Sequence, residues 1–283
     1  MGSATTGSGV APEVIPLIDN SAHDKWRLLI VAERFQANER ELFLAHARRL
    51  AEQMTAQAPF NDPSVKGQFQ IYACFTPTRP EGMFECKFQG ERRYYGKPDL
   101  VRKYLTRHSG TCPELKRRSN DLTLVLMNFV KRGGAGEQGN DNIAWSTPVH
   151  WVENGVKTED WCDVTLHELG HAFELDDEYD AEWPGAPDVP LKANVIDSAD
   201  PDTAPWREHF DPAPPVTLTA AELPLGKDDL VRYGKVKVGL FQGARYSGKK
   251  YWRSALRCKM RSTPDPFCQV CQARILKVIT TNS

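Results

Sequence analysis

The chain has 283 residues, of which 40% are hydrophobic and 26% are charged, the composition of an ordinary soluble globular protein. Its formal net charge of -1 provides no overall attraction for nucleic acid or for an anionic membrane. The sequence contains no run of about 18 apolar residues, so no membrane span is predicted. We therefore expect neither nucleic acid nor a membrane as a partner, while the oligomeric state stays open.

Residues 1–22 begin with a small, polar stretch that is rich in Gly and Ser. This stretch lacks the basic and apolar regions of a signal peptide. The composition predicts a disordered tail or a cloning remnant over 1–22 and a single domain over 23–283. The compartment stays open, because a remnant is compatible with a secreted or periplasmic protein and a native start with a cytoplasmic one.

The next segments predict alternating strands and helices. A continuous apolar run at 26–33 predicts a buried strand, and apolar residues at helical spacing in 37–57 predict a long amphipathic helix. Residues 68–75 alternate like a strand, 97–108 carry a proline where a first helical turn tolerates it, and 121–130 form another apolar run. The order strand-helix-strand-helix-strand predicts an α/β fold whose sheet is joined by crossover helices.

Two segments follow before the most informative stretch. Residues 132–140 are rich in glycine but lack the Lys-Ser or Lys-Thr ending of a phosphate-binding loop, so they predict a mobile loop. Residues 143–152 predict an edge strand, because Pro148 has no N–H to donate to a central ladder. We expect His150 in that strand to be structural.

The informative stretch carries an HExxH motif. His167 and His171 are four residues apart, so on a helix both imidazoles project from one face and can reach one metal ion at about 2.0 Å. Glu168 is placed to accept a proton from a metal-bound water. Such a string also arises by chance on helical surfaces, but this one follows a predicted strand, starts near a capping Asp160 or Asp163, and precedes a run of acidic residues. The pattern predicts a zinc site with one catalytic ion.

Catalytic zinc usually takes three protein ligands and keeps an open position. Asp177 lies ten residues after His167, which is the spacing of the third ligand in the metzincin pattern, with Asp replacing His. Glu174 stands where that pattern has a turn-forming glycine. We predict Asp177 as the third ligand. The alternatives that stay open are the other acidic residues of the segment, Asp176, Glu178 and Asp180.

The seven cysteines are an odd number, so complete pairing within the chain is excluded. Cys258, Cys268 and Cys271 cluster near the C-terminus, and the last two form a CxxC. These three residues are compatible with a disulfide, with part of a metal site, or with reduced thiols in a core. A full four-ligand zinc site would need a partner from elsewhere in the chain.

Taken in order, these segments resemble the bacterial IgA-peptidase-like zinc metallopeptidases. The resemblance covers 26–279 and rests on HELGHAF with the following DEY, the Asn194 segment with Trp206, the stretch 239–261, and the terminal FCQVC. It implies a metzincin-like fold, with a twisted mixed sheet, an active-site helix, and a C-terminal subdomain that carries a methionine turn at Met260. The implied subdomains are 23–176 and 177–283.

The chain also departs from that family. Its first strand ends in Ala32-Glu33-Arg34 where the family tends to have Asp-Gly-Tyr, and Gln242 stands where a Glu is common. The segment from His171 to Asp177 is a residue shorter than is usual. These departures weaken any transfer of substrate preference, and the family name is not evidence that this chain cleaves immunoglobulin.

The function predicted from these residues is that of a zinc endopeptidase. Glu168 acts as base and then as acid. The tetrahedral intermediate needs a further hydrogen-bond donor, and no tyrosine lies just after Met260. Tyr251 is therefore the candidate donor, with Tyr246 as its alternative. A protein or peptide substrate is expected to bind as an extended strand against 143–152. The alternative function is a non-catalytic, protein-binding module that retains a metal. The intact Glu168 favours the enzyme, because a structural metal site has no need of that carboxylate.

Overall fold

The structure is a computed structural model that describes residues 11–20, 26–89, 93–118, 121–136, 142–153, 156–182, 189–211, 214–223 and 236–281. These residues fold into two compact units. The first unit contains the described residues up to Ala172 together with 279–281, and the second is Phe173–Val278. No helix in the described ranges is long and apolar enough to cross a lipid bilayer.

The first unit contains an eight-stranded sheet with the order β1-β3-β2-β6-β8-β7-β5-β4. Its strands are β1 (Glu13–Ile18), β2 (Trp26–Glu33), β3 (Phe69–Phe75), β4 (Lys87–Gln89), β5 (Arg93–Tyr95), β6 (Leu122–Met127), β7 (Gly134–Gly136) and β8 (Ile143–Ser146). Its helices are α1 (Arg40–Thr55), α2 (Pro98–His108) and α3 (Trp161–Ala172), and a separate ribbon pairs β9 (Trp151–Glu153) with β10 (Val156–Glu159).

The centre of this sheet is parallel. All eight residues of β2 are buried, and β2 pairs in parallel with both β3 and β6. A strand that is covered on both faces needs apolar side chains pointing both ways, which is why β2 has a continuous apolar run and not an alternating one. The predicted α/β class and the predicted order of two helices and three strands are therefore confirmed, with ends that differ by one to three residues at most elements.

The predicted disorder of residues 1–22 is wrong for part of that segment. β1 pairs antiparallel with β3, from Glu13 opposite Phe75 to Ile18 opposite Ile71, with an irregularity after Pro16. This edge strand contains a proline, which has no backbone N–H. The outermost strand of a sheet tolerates it, because its open side needs no hydrogen-bond donor. Residues 1–10 and 21–22 lie outside the described residues.

The predicted edge strand over 143–152 is wrong for residues 143–146. β8 is paired with β6 on one side and with β7 on the other, so this part of the segment is internal to the sheet. Trp151–Glu153 belongs instead to the two-stranded ribbon of β9 and β10. The glycine-rich segment, for which we predicted a mobile loop, supplies β7 and covers that position; its residues 137–140 lie outside the described residues. Pro148 follows the end of β8, so it does not interrupt the ladder.

The second unit contains a four-stranded sheet and a helix. The sheet has the order β11-β14-β13-β12, and its strands are β11 (Val195–Ile196), β12 (Thr217–Leu218), β13 (Leu240–Ala244) and β14 (Ser247–Arg253). The helix is α4 (Gln269–Thr281), of which the residues up to Val278 belong to the second unit. The β13–β14 hairpin turns through Arg245 and Tyr246, which have φ angles of 49° and 59°. A two-residue turn with positive φ at both positions matches the twist of a hairpin, but it strains residues other than Gly, Asn and Asp.

Candidate metal centre

The start of α3 is defined by a capping aspartate. Asp160 Oδ1 accepts a hydrogen bond from the Cys162 N–H at 2.9 Å, so Asp160 is the residue that caps the helix. The other carboxylate oxygen lies 2.5 Å from Arg49 Nη2. His150 Nδ1 is 3.8 Å from Asp160 Oδ1, which places this histidine beside the first turn of α3. These contacts anchor the N-terminus of the helix that carries the motif.

The buried face of α3 is fixed by polar and aromatic contacts in the first unit. The Ser146 hydroxyl of β8 lies 2.6 Å from the Thr165 hydroxyl, which itself donates to the carbonyl of Trp161 at 2.9 Å. The Trp161 ring packs edge-on against His46 of α1, with centroids 5.7 Å apart. These contacts fix the rotation of α3 about its axis. The motif residues further along the helix therefore keep a constant orientation.

The motif residues form a compact cluster of metal-ligand atoms. His167 and His171 are 4% and 5% exposed, and their ring centroids lie 5.2 Å apart with planes at 87°. Candidate ligand atoms of these two residues and of Glu168 all lie within 4.8 Å of one another. Two imidazoles and a carboxylate are a donor set that suits zinc and other first-row metals, so the residues present fit a metal ion.

The glycines of β7 allow this cluster to lie directly against the sheet. A Cβ atom at Gly134 would be 2.9 Å from Cγ of Glu168, and a Cβ at Gly136 would be 2.6 Å from Cδ2 of His171. Distances below about 3 Å are well inside normal carbon contacts, so a side chain at either position would push α3 away. No site role was predicted for these glycines. The signal in the sequence is their spacing of two, which places both glycines on the same face of a strand.

The predicted third ligand, Asp177, belongs to the second unit and is nearly buried, at 5% exposed. Its Oδ2 accepts a hydrogen bond from the Tyr246 hydroxyl at 2.7 Å, and its carbonyl accepts one from the Arg245 N–H at 3.0 Å. The Tyr246 N–H donates to the carbonyl of Tyr179 at 2.8 Å. The strained tip of the β13–β14 hairpin therefore holds the Asp177 segment and orients its carboxylate.

Two of the alternative ligands have partners within the second unit. Asp176 Oδ2 accepts a hydrogen bond from the Lys192 N–H at 2.9 Å. Asp180 Oδ2 lies 2.9 Å from Arg261 Nη2. Like Asp177, each of these two aspartates therefore has one carboxylate oxygen bound within the second unit.

Glu178, the remaining alternative, lies among the three C-terminal cysteines. The Asn194 amide donates to Glu178 Oε1 at 2.9 Å, and the Cys271 thiol is 3.6 Å from the same oxygen. Complete burial raises the pKa of Glu178 to about 8, because removal from water disfavours the ionised carboxylate. Glu178 is therefore part of a different group of side chains.

Glu174 stands at the position where the metzincin pattern has a glycine. Its φ is 61°, in the left-handed region that residues with a Cβ enter at a cost of about 1–2 kcal/mol. Its carboxylate forms an ion pair with Arg274 of α4. A glutamate therefore occupies a backbone conformation that favours glycine.

The other predicted residues of the second unit have distinct environments. Two cations lie over the Tyr251 ring, with Lys250 Nζ at 4.8 Å and the Arg245 guanidinium carbon at 5.3 Å from its centroid. Met260 is completely buried, and its carbonyl accepts the Glu178 N–H at 2.9 Å.

Comparison with protein families decides the wider identity. The family model described as IgA Peptidase M64 matches residues 15–230 and 222–279, which is most of the chain. The chain belongs to the IgA Peptidase M64 family. Membership makes this M64 protein a peptidase and implies a metal, for which the His167–Glu168–His171 group is a candidate site. Among curated proteins, no sequence matches this M64 chain at a significant level.

Proposed function

We propose that the chain is a zinc-dependent endopeptidase in which His167 and His171 bind the metal and Glu168 is the general base. The observation that carries this proposal is the cluster on α3, where two nearly buried imidazoles and one carboxylate bring their ligand atoms within 4.8 Å. Membership of a peptidase family supports the reaction class. A metzincin-like arrangement is supported by the left-handed turn at Glu174 and by the buried Met260.

Each residue of the cluster has a role that its chemistry allows. When bound, zinc supplies Lewis acidity, which polarises a carbonyl and makes water acidic enough to react near neutral pH. Glu168 is partly exposed while both histidines are buried, so its carboxylate is accessible to a reacting water and to a leaving group. It accepts the proton of the water and passes it to the leaving amine. Asp177 is proposed as the third ligand on its spacing from His167 and on its bond from Tyr246.

The competing function is a protein-binding module that keeps a metal without catalysis. Such a module would need the two histidines but not the carboxylate between them. In this structure Gly134 leaves room for the Glu168 side chain, since a Cβ there would be 3.1 Å from Oε1. Space that is reserved for a carboxylate favours the enzyme.

The test is the Glu168→Gln variant, assayed on random-sequence peptides whose two termini are blocked, so that only internal cleavage is detected. We expect unchanged zinc content and a loss of activity of about 10²–10⁴-fold, the usual contribution of a general base. Glu52→Gln, an exposed change on α1, is the matched control and should retain full activity. Full activity of Glu168→Gln, or wild-type protein without internal cleavage of any peptide, would contradict the proposal.

A further inference from the structure

A second group of metal-ligand side chains lies in the second unit. It consists of Glu178, Cys258, Cys268 and Cys271, whose ligand atoms all lie within 4.8 Å of one another. Glu178, Cys258 and Cys271 are completely buried, and Cys268 is 8% exposed. We call these four residues the Cys3Glu cluster. The proposed peptidase reaction uses none of them.

The distances in the Cys3Glu cluster do not match a disulfide. Cys258 Sγ and Cys271 Sγ are 3.6 Å apart, whereas a disulfide bond is about 2.05 Å long. Two thiolates on one tetrahedral zinc, each at about 2.3 Å, would be about 3.8 Å apart, and a thiolate and a carboxylate oxygen about 3.5 Å apart. The Cys271 Sγ to Glu178 Oε1 distance is 3.6 Å. Both measured separations therefore fit the edges of a zinc tetrahedron.

The carboxylate of Glu178 has one oxygen that is available to bind a metal ion. Its Oε2 is buried and has no hydrogen-bond partner among the described residues. A buried polar atom without a partner is costly, and a buried carboxylate is usually paired with a cation or bound to a metal. The other oxygen, Oε1, is held by the Asn194 amide, which donates from Nδ2 at 2.9 Å. Such a bond is the kind that orients a ligating carboxylate.

The thiols also have the surroundings of metal ligands. The Cys268 N–H points at Cys258 Sγ from 3.4 Å, and the Ser254 hydroxyl is 3.4 Å from Cys268 Sγ. The buried guanidinium of Arg253 interacts electrostatically with Glu178 and Cys258. Three thiolates and one carboxylate exceed the charge of one divalent ion, so nearby donors and one cation reduce the remaining negative charge.

We propose that the Cys3Glu cluster is a structural zinc site, with Cys258, Cys268, Cys271 and Glu178 as its four ligands. Four protein ligands, all of them buried, leave no open position for a substrate, as in structural zinc sites in general. The proposal does not depend on the peptidase function, because its ligands and its test are separate from the α3 cluster.

The site would connect two segments that are distant in sequence. Glu178 belongs to the DEY segment, and its N–H donates to the carbonyl of Met260, which lies between Cys258 and Cys268. A metal held by Glu178 and the cysteines would therefore fix the backbone on which the neighbouring Asp177 is presented.

The test uses Co²⁺, because thiolate ligands produce ligand-to-metal charge-transfer absorption in the near ultraviolet and histidine or carboxylate ligands do not. The full chain is loaded with Co²⁺ in the His167→Ala/His171→Ala background, so that the α3 cluster contributes nothing. We expect the thiolate absorption to appear, and to be lost in Cys258→Ser together with one bound ion per chain. Cys112→Ser, a partly exposed cysteine of the first unit, should leave the spectrum unchanged.

Two further measurements keep the test decisive if Cys258→Ser fails to fold. Glu178→Gln keeps the shape of the side chain. It should weaken metal binding at the Cys3Glu cluster at least tenfold, because an amide lacks the negative charge of the carboxylate ligand. Protein purified without reductant and denatured with chelator should react with a thiol reagent at all seven cysteines. A thiol count lower by two, no thiolate absorption in the loaded chain, or unchanged affinity in Glu178→Gln would overturn the proposal.

Discussion

The α3 cluster and the Cys3Glu cluster bring similar numbers of metal ligands together in opposite ways. The first uses nitrogen and oxygen donors, and its Glu168 is partly exposed beside the glycines of β7. The second uses sulfur and oxygen donors, all of them buried and surrounded by backbone and side-chain donors. The comparison teaches that access of solvent to the ligands, more than their number, distinguishes a metal site suited to catalysis from one suited only to stabilising the fold.

The largest effect is expected from a side chain on β7. In Gly136→Ala the new Cβ would lie 2.5 Å from the Glu168 carbonyl and 2.6 Å from Cδ2 of His171. Displacement of a catalytic cluster by about 1 Å costs about 100-fold in rate, so kcat/KM for blocked peptides should fall by about that factor. Gly110→Ala is the control, because nothing lies within 4 Å of its Cβ. Equal activity of the two variants would mean that the position of the α3 cluster does not depend on the glycine of β7.

The next effect concerns the closed cluster. Asn194→Ala removes the amide that donates to Glu178 Oε1 and that also bonds both the N–H and the carbonyl of Asp176. Loss of these buried partners should lower the free energy of unfolding by about 1–3 kcal/mol and weaken metal binding at the Cys3Glu cluster by about 10–100-fold. Asn61→Ala, which removes one bond at the surface, should have a much smaller effect in the same urea titration. Equal losses of unfolding free energy in the two variants would show that the buried bonds of Asn194 do not stabilise the Cys3Glu cluster.

A smaller effect separates the two candidate tyrosines. Tyr246→Phe removes the hydroxyl that binds Asp177 Oδ2, and we expect about a tenfold loss of zinc affinity at the α3 cluster, the lower end for an outer partner of a ligand. Tyr251→Phe should instead lower kcat and leave zinc affinity unchanged, if Tyr251 is the donor to the intermediate. Metal titration beside steady-state kinetics measures both. Unchanged zinc affinity in Tyr246→Phe would argue against Asp177 as a ligand.

The smallest effect concerns the turn that precedes the DEY segment. Glu174→Gly and Glu174→Ala both remove the ion pair with Arg274, so they differ only in the cost of a Cβ at φ 61°. The glycine variant should be more stable than the alanine variant by about 1 kcal/mol, because only glycine enters the left-handed region freely. Urea denaturation of the pair measures this difference. Equal midpoints would show that the turn relaxes once the ion pair is lost.

Residue patterns predicted those parts of the fold that depend on local chemistry. β2 and β6 followed from continuous apolar runs, and β3 followed from an alternating pattern. α1 followed from helical spacing, and α2 from the proline of its first turn. The pair His167 and His171 followed from the period of a helix, since residues four apart always share a face. Membership of the IgA Peptidase M64 family agrees with the resemblance that these motifs carried.

Other features could not be predicted because they depend on which segments pair. The glycine-rich segment has little strand propensity, yet it becomes β7 because β8 offers it a partner and α3 needs a face without side chains. For the same reason β8 is internal. β1 carries a short apolar stretch that contains Pro16, and its place in the sheet depends on its ladder to β3.

The sequence by itself determined the identity of the catalytic candidates, because two histidines and a glutamate at helical spacing form one face whatever surrounds them. Only the tertiary structure decided the partners of Glu178. Ligands that lie 80 or more residues apart, as Glu178 and Cys258 do, are brought together by packing and not by local spacing. The cysteines lacked a fourth ligand in the sequence, and the fold provides one from the segment next to the motif helix.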